Sequence, residues 1–280
     1  MNDWNSRLVS SPASRLDISR GKSVLRILMI GDIIGKPGRR AVRSIVGDLR
    51  REHSIDMVIA NGENVAGGFG ITLDTAYELL ESGVDVITSG NHIWDQKEII
   101  PHLDEGLPIL RPANYPDAPG RGYLIQEDVM VMNLMGRVFM PALDCPFRTA
   151  SRLLKESGRE DVPGVIIVDF HAEATSEKQA MGWYLDGRVS AVLGTHTHVG
   201  TVDGRIMPKG TAYLSDVGMT GPVESVIGSE PEAVLTRFLT GMPHRLAVAG
   251  GPVKMNSVLL DIDTETGKAR SIERLDIMES

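Results

Sequence analysis

The stretch Val24-Leu25-Arg26-Ile27-Leu28-Met29-Ile30-Gly31-Asp32 decides the fold, because it joins a short apolar run to a turn and a carboxylate. An apolar run of this length bounded by turn residues is typical of a buried strand. The same arrangement returns four more times along the chain, so we predict five strands that each end in side chains able to bind a metal. The residues that follow these strands are Asp32, Glu63 and Asn64, Asn91 and His92, His171, and His196 and His198.

Amphipathic segments separate these strands. Aliphatic side chains recur at helical spacing over residues 39–51, and further helices are predicted over residues 73–81, 148–156 and 176–184. The last thirty residues alternate in period two, which predicts a closing hairpin. Strands that alternate with helices indicate an α/β layered architecture. Ligands of such sheets gather at the carboxyl ends of the strands, where the polar residues lie.

The composition is that of an ordinary globular protein. The chain has 280 residues, of which 42% are hydrophobic, and its formal net charge is −8. That charge repels polyanions, so we expect no polymeric nucleic acid among its partners. Residues 1–24 are polar and partly basic, and we expect them to form a disordered N-terminal extension ahead of one domain over residues 25–280.

Cysteine content and hydropathy indicate the compartment. The chain has one cysteine, Cys145, which excludes an internal disulfide and fits a reducing environment. No apolar run approaches the about 20 residues that span a bilayer, and residues 1–24 lack the apolar centre of a secretory signal. We therefore expect a cytoplasmic protein that does not associate with membranes.

The polar residues at the strand ends have the chemistry of a metal centre. His196 and His198 are two apart in an extended segment, so both imidazoles can face one site. Carboxylate, amide oxygen and imidazole without thiolate favour Mn, Fe or Zn. Seven candidate ligands exceed the set of one tetrahedral ion, so two metals bridged by a carboxylate fit better. Two ions roughly 3.5–4 Å apart suit phosphate ester hydrolysis, because they clamp the attacking and the leaving oxygen.

His92 directly follows a candidate ligand and therefore lies at the rim of the same site. An imidazole can protonate a departing alkoxide near pH 7, so His92 is the candidate general acid. A hydrogen bond to a metal ligand is the alternative function of this side chain. Asp95 either orients His92 or caps a helix.

These motifs resemble those of the calcineurin-like metallophosphoesterases. Gly90-Asn91-His92 and Thr195-His196-Thr197-His198 match two blocks of that superfamily, and His171 fits its isolated histidine. Two positions depart from the pattern: Ile34 stands where a second ligand is expected, and Glu63 replaces an aspartate. The altered pattern, together with residues 31–39, 64–70 and 169–178, resembles the YmdB-type branch, whose members act as 2′,3′-cyclic nucleotide phosphodiesterases. The resemblance extends essentially from Leu25 to the C terminus.

The resemblance implies a fold and an activity. The fold is a four-layer αββα sandwich with two mixed β-sheets, and the reaction is metal-dependent hydrolysis of small phosphate esters, above all 2′,3′-cyclic nucleotides. A hydroxide bridging the metals would attack the phosphorus, with His92 as general acid. The cofactors would be two divalent or mixed-valence ions, Fe or Mn, with Zn as a further option.

The resemblance also assigns the ligands. Asp32 and His198 would hold the first metal, Glu63 would bridge, and a second set would hold the other metal. That second set consists of Asn91, His171 and His196. Asn64 lies where it can take the space of the ligand missing at Ile34.

Two alternatives to this activity remain open. The alternative among enzymes is a phosphomonoesterase of different specificity. A metal-binding regulatory protein with little turnover is an alternative from another class, because the altered first block can weaken one metal site. The sequence leaves a homo-oligomer open and does not fix the metal or the physiological substrate.

Overall fold

The computed structural model describes residues 21–159 and 164–279. In chain order the strands are β1 (Val24–Ile30), β2 (Asp32–Ile33), β3 (Met57–Asn61), β4 (Val86–Thr88), β5 (Tyr123–Gln126), β6 (Val129–Met135), β7 (Val165–His171), β8 (Ala191–Thr195), β9 (Arg205–Ile206), β10 (Ala212–Leu214), β11 (Met219–Pro222), β12 (Val253–Met255), β13 (Ser257–Asp263), β14 (Ala269–Arg274) and β15 (Ile277–Met278). The helices are α1 (Gly35–Glu52), α2 (Leu73–Glu81), α3 (Pro146–Glu156), α4 (Thr175–Leu185) and α5 (Pro231–Thr240), with a 3-10 helix at Lys97–Asp104.

Two large mixed sheets face each other. The first has the strand order β14-β13-β1-β3-β4 and the second has the order β5-β6-β7-β8-β10-β9. Strands β1, β3 and β4 are parallel, as are β6, β7, β8 and β10, whereas the predicted C-terminal hairpin β13–β14 adds to β1 in antiparallel fashion. The parallel strands place their carboxyl ends at one edge of each sheet.

Three apolar cores define four layers. The central core joins the inner faces of both sheets, as the side chains of Ile27, Ile59, Val131 and Ile167 illustrate. A second core packs α1 and α2 on the outer face of the first sheet, and a third packs α3 and α4 on the outer face of the second. Successive side chains of a strand point to opposite faces of its sheet. Because both faces of each large sheet are apolar, one face packs against the other sheet and the opposite face packs against helices. The predicted αββα sandwich is confirmed.

A small third sheet was not predicted. It has the order β15-β12-β11-β2, and β2 begins at Asp32 and pairs in parallel with β11. Its strands are two to four residues long, too short for a readable period. Helix α5 was not predicted either, and of its residues only Val234 is buried.

Two of the predicted boundaries are the start of helix α1 and the end of the N-terminal extension. Helix α1 begins at Gly35 instead of residue 39, because its first turn carries none of the aliphatic side chains on which the periodicity rests. Residues 1–20 of the predicted extension lie outside the described residues, so the division at residue 24 stays a prediction, and Val24 already begins β1. Among the described residues, no helix combines the length and apolarity needed to cross a bilayer.

Candidate metal centre

Side chains from both large sheets meet at the carboxyl edge of the sandwich. Two groups of ligand atoms lie there, each within 4.8 Å: one is Glu63, His171 and His196, the other is Asp32, Glu63 and His198. Glu63 belongs to both groups. A carboxylate shared by two groups of donors is the arrangement of a bridging ligand in a two-metal site.

His171 is the centre of the group that it forms with Glu63 and His196. Its Nε2 lies 3.2 Å from Glu63 Oε1, 3.1 Å from Asn91 Oδ1 and 3.0 Å from His196 Nδ1. The fold therefore brings Asn91 together with the two histidines, although Asn91 follows β4, His171 ends β7 and His196 follows β8. Three donor atoms thus lie within 3.2 Å of His171 Nε2.

Asn64 lies beside the group formed by Asp32, Glu63 and His198. Its amide nitrogen is 3.1 Å from Glu63 Oε1 and 3.3 Å from His198 Nε2, and His198 Nε2 lies 3.9 Å from Asp32 Oδ1. Because an amide oxygen and nitrogen exchange by a flip, the Asn64 side chain can present its oxygen to a cation here. Ile34 is buried beside this group and offers no donor atom.

Two observations show that these residues fit a cation. Asp32 Oδ1 is buried and has no hydrogen-bond partner among the described residues, whereas Oδ2 accepts from the backbone N–H of His196 at 3.0 Å. A buried carboxylate oxygen without a partner is costly unless a cation or water satisfies it. Gly90 leaves open the space in front of His171 and Glu63, since a Cβ there would lie 2.2 Å from the imidazole Nε2.

A buried network fixes the orientation of His171. Thr195 Oγ1 donates to Asp169 Oδ1 at 2.7 Å and therefore accepts from His171 Nδ1 at 3.0 Å. Thr88 and Asn61 also donate to Asp169, which is fully buried. This arrangement leaves His171 Nε2 for the metal side. Asp169 was not among the predicted site residues, although it precedes His171 by two positions on β7 and so shares its face.

Glu173 was also missed. Its Oε2 lies 3.1 Å from His196 Nε2, so the carboxylate accepts from that nitrogen and leaves Nδ1 for the metal group. No sequence pattern marked Glu173, because it lies in the turn between β7 and α4 and its contact is made across the pocket.

The buried charges perturb one another strongly. Burial raises the pKa of Asp32 to about 6, against the opposing charges of His198 and His171. Burial alone would lower the pKa of His171, but the Glu63 and Asp32 carboxylates raise it to about 9. Burial and the neighbouring His171 lower the pKa of His196 to about 3. Burial raises the pKa of Glu63, but His171 outweighs it and the net shift is downward.

Metal uptake should therefore release a proton. In the metal-free protein at pH 7.5, His171 with a pKa of about 9 is protonated, and it must lose that proton to become a ligand. Because the proton competes with the ion, affinity should rise by up to about tenfold per pH unit below pH 9 and level off above it. Calorimetric titration with Mn²⁺ in buffers of different ionisation enthalpy measures the proton count. An unchanged affinity between pH 6.5 and 8.5 would contradict this assignment.

His92 and Asp95 lie at the rim. His92 Nδ1 donates to Asp95 Oδ2 at 2.8 Å, which leaves Nε2 on the pocket side, and the His92 backbone N–H donates to Glu63 Oε2 at 3.1 Å. Asp95 thus orients His92 and is not the N-cap residue of the 3-10 helix that follows, since Gln96 occupies that position without a capping hydrogen bond from its side chain. The adjoining cavity of about 310 Å³ is bounded by the donor groups on one side and by Phe69, Leu246 and Val248 on another.

The chain has close relatives along most of its length. It is 48% identical over 256 residues to the 2′,3′-cyclic-nucleotide 2′-phosphodiesterase of Bacillus subtilis, covering 90% of this chain and 96% of that protein. It is 36% identical to a putative phosphatase/phosphodiesterase of Mycoplasma pneumoniae, over 91% of this chain and 94% of the relative.

Solved structures agree with these sequence comparisons. A hypothetical protein from Thermus thermophilus superposes with a TM-score of 0.84 at 44% identity, covering 91% of this chain and all of that one. A structure described as a novel phosphatase from Mycoplasma pneumoniae gives a TM-score of 0.86 at 35% identity, covering 92% and 94%. The family model described as YmdB-like protein matches residues 28–275, and the chain belongs to that family.

Proposed function

We propose that this protein is a two-metal phosphodiesterase that hydrolyses 2′,3′-cyclic nucleotides. The observation that carries the proposal is the position of the Glu63 carboxylate, which belongs to two groups of donors and accepts from the backbone N–H of His92, whose ring Asp95 orients. The activity of the Bacillus subtilis relative, stated in its name, supports the same substrate class. Water would add across the bond between phosphorus and O2′, which yields a nucleoside 3′-phosphate.

Each residue group has a separate task in this reaction. Asp32, Asn64 and His198 would hold one ion, Asn91, His171 and His196 the other, with Glu63 between them. The bound ions would supply Lewis acidity to the phosphate and an activated water. Asp95 holds His92 with Nε2 toward the pocket, from which it can protonate the departing O2′.

The His92→Ala variant tests the general acid. We expect kcat for 2′,3′-cyclic AMP to fall by about 10²- to 10⁴-fold while metal content stays unchanged. Hydrolysis of bis(p-nitrophenyl) phosphate should fall much less, because p-nitrophenolate leaves without a proton. Asp95→Asn should reduce kcat by a smaller factor. Equal losses on both substrates would show that His92 does not protonate the leaving group.

The shape of the cavity suggests how a nucleotide lies. The phosphate must reach the donor groups, which directs the nucleobase toward the apolar side formed by Phe69, Leu246 and Val248. Phe69 is 41% exposed, and its ring meets that of His92 edge-on at a centroid distance of 5.0 Å. Its carbonyl accepts from Gln96 Nε2 at 2.9 Å, which fixes the glycine-rich loop that carries it.

Removing the aromatic ring should therefore weaken nucleotide binding. For Phe69→Leu we expect KM for 2′,3′-cyclic AMP to rise roughly tenfold, in the range found for loss of a base-stacking ring. Glycerol 1,2-cyclic phosphate has the reacting group without a base, so its kcat/KM should stay within about twofold of the unmodified value. A parallel loss on both substrates would argue against contact between Phe69 and the base.

The remaining assignments need direct measurement. We propose Fe or Mn as the native metals, with Zn as the further option, because the donor set lacks thiolate. Elemental analysis with a panel of cyclic nucleotides and phosphomonoesters distinguishes a diesterase from a monoesterase and from a metal-binding protein with little turnover.

We place the protein in the cytoplasm on the basis of its single cysteine. Exposed Leu235, Phe238 and Leu239 on α5 support a homo-oligomer, which light scattering would detect.

A further inference from the structure

A buried ion pair lies directly behind the histidines of the candidate metal centre. Lys178 on α4 donates from Nζ to Asp216 Oδ2 at 2.6 Å, and the two residues are 2% and 1% exposed. Asp216 follows β10, whereas the histidines follow β8, so the pair joins three separate elements. Neither residue is among the candidate ligands that the strand ends supply.

One oxygen of Asp216 holds the segment between the two histidines. Asp216 Oδ2 accepts from the backbone N–H of Thr197 at 3.1 Å and from its hydroxyl at 2.8 Å. His196 and His198, on either side of Thr197, have φ angles of 102° and 65°. Non-glycine residues rarely adopt such angles, and they persist where the surroundings hold them. The carboxylate therefore stabilises a strained turn that aims both imidazoles at the donor groups.

The other carboxylate oxygen of Asp216 is linked to the backbone of Asp32 through Gly218. Asp216 Oδ1 accepts from the backbone N–H of Gly218 at 2.8 Å, and the carbonyl of Gly218 accepts from the backbone N–H of Asp32 at 3.0 Å. A Cβ at Gly31 would lie 1.9 Å from that same carbonyl oxygen, so the two backbones are in close contact. A single carboxylate thus connects the backbone positions of three candidate ligands.

Lys178 places a positive charge directly beside this buried carboxylate. An isolated buried carboxylate is expensive, so a cation is needed next to it. The absence of a side chain at Gly194 makes room for the lysine stem, because a Cβ there would lie 3.1 Å from Lys178 Cδ and 1.8 Å from the Ser215 carbonyl oxygen. The strand β8 therefore accommodates Lys178 just before the histidines.

We propose that Asp216 and Lys178 are positioning residues for the metal centre, which fix Asp32, His196 and His198 in the geometry that binds cations. This inference rests on the proposed metal centre. Neither residue offers a free oxygen or nitrogen to an ion. Their contribution is made through Thr197 and Gly218.

The test compares two charge-neutral double variants in Mn²⁺ titrations followed by electron paramagnetic resonance. Lys178→Met/Asp216→Asn leaves a single acceptor oxygen, which cannot serve both Thr197 and Gly218. The control, Arg50→Met/Asp85→Asn, removes an ion pair at the opposite end of the strands, where Asp85 accepts from the backbone N–H of Val58 at 2.8 Å. Thermal unfolding of the chelator-treated proteins measures the loss of stability that is independent of metal.

We expect the Lys178/Asp216 variant to bind Mn²⁺ about 10- to 100-fold more weakly, the range for residues that support metal ligands, and to lose the spectrum of a coupled Mn²⁺ pair. The Arg50/Asp85 control should keep the Mn²⁺ affinity and the coupled spectrum of the unmodified protein. This holds even if its unfolding temperature without metal falls as much as that of the Lys178/Asp216 variant. Unchanged Mn²⁺ binding in the Lys178/Asp216 variant, or equal weakening in both variants, would overturn the positioning function. Failure of the unmodified protein to bind Mn²⁺ would overturn the metal centre itself.

Discussion

Glu63→Gln will lose metal binding at both groups of donors and, with it, nearly all diesterase activity. Glutamine keeps the size of the side chain, but it removes the negative charge that both groups share. The loss of several kcal/mol of charge stabilisation corresponds to a fall in kcat of about a thousandfold or more. Elemental analysis after gel filtration and hydrolysis of 2′,3′-cyclic AMP measure the two effects.

Glu173→Gln is the matched control for this substitution. Glu173 contacts His196 from the rim and belongs to neither group of donors, so its loss should reduce metal affinity by about tenfold without removing both ions. Retention of two ions per chain by Glu63→Gln would mean that Glu63 does not bridge. Equal losses of metal and of activity in Glu63→Gln and Glu173→Gln would indicate a general effect of negative charge near the pocket.

Gly90→Ala will block the centre by steric overlap alone. The added Cβ would lie 2.2 Å from His171 Cδ2 and Nε2 and 2.5 Å from Glu63 Oε2, closer than any non-bonded contact allows. The imidazole or the carboxylate must move, and both are enclosed by packed neighbours. Since misplacement of such groups by about 1 Å can cost about 100-fold, we expect kcat to fall by at least that factor.

Gly47→Ala gives the comparison for Gly90→Ala. Gly47 lies on α1, and its Cβ would meet only Arg51 Nη1, at 3.8 Å. Alanine there should preserve metal content and leave stability equal or slightly improved, because alanine favours helix more than glycine does. Normal metal content in Gly90→Ala would show that the structure around His171 adapts to the methyl group.

The layered fold was predictable because each strand carries its own signal. Apolar runs such as residues 24–30 end in turn residues, and the helices between them show apolar side chains at helical spacing. The carboxyl end of each strand is therefore visible in the sequence alone. The candidate ligands were found by the same route. Asp32 and Glu63 each follow a strand, and parallel strands bring their carboxyl ends to one edge.

The supporting residues could not be found in this way. Asp216 acts through Thr197, and Lys178 acts through Asp216, so their positions matter only when β8, β10 and α4 are assembled. Asp169 is different, because its period-two relation to His171 is visible in the sequence. The third sheet was not predicted for another reason: its strands have two to four residues, too few for a clear period-two alternation.

The placement of the donors on two sheets has a consequence for folding kinetics. Asp32, Glu63 and Asn91 follow strands of the five-stranded sheet, whereas His171 and His196 follow strands of the six-stranded sheet. The complete set of donors is assembled only when the two sheets have docked, so we expect the ions to bind late in folding. Interactions that form so late slow unfolding and leave the folding rate nearly unchanged. The supply of metal would then govern how long a folded molecule lasts rather than how quickly it forms.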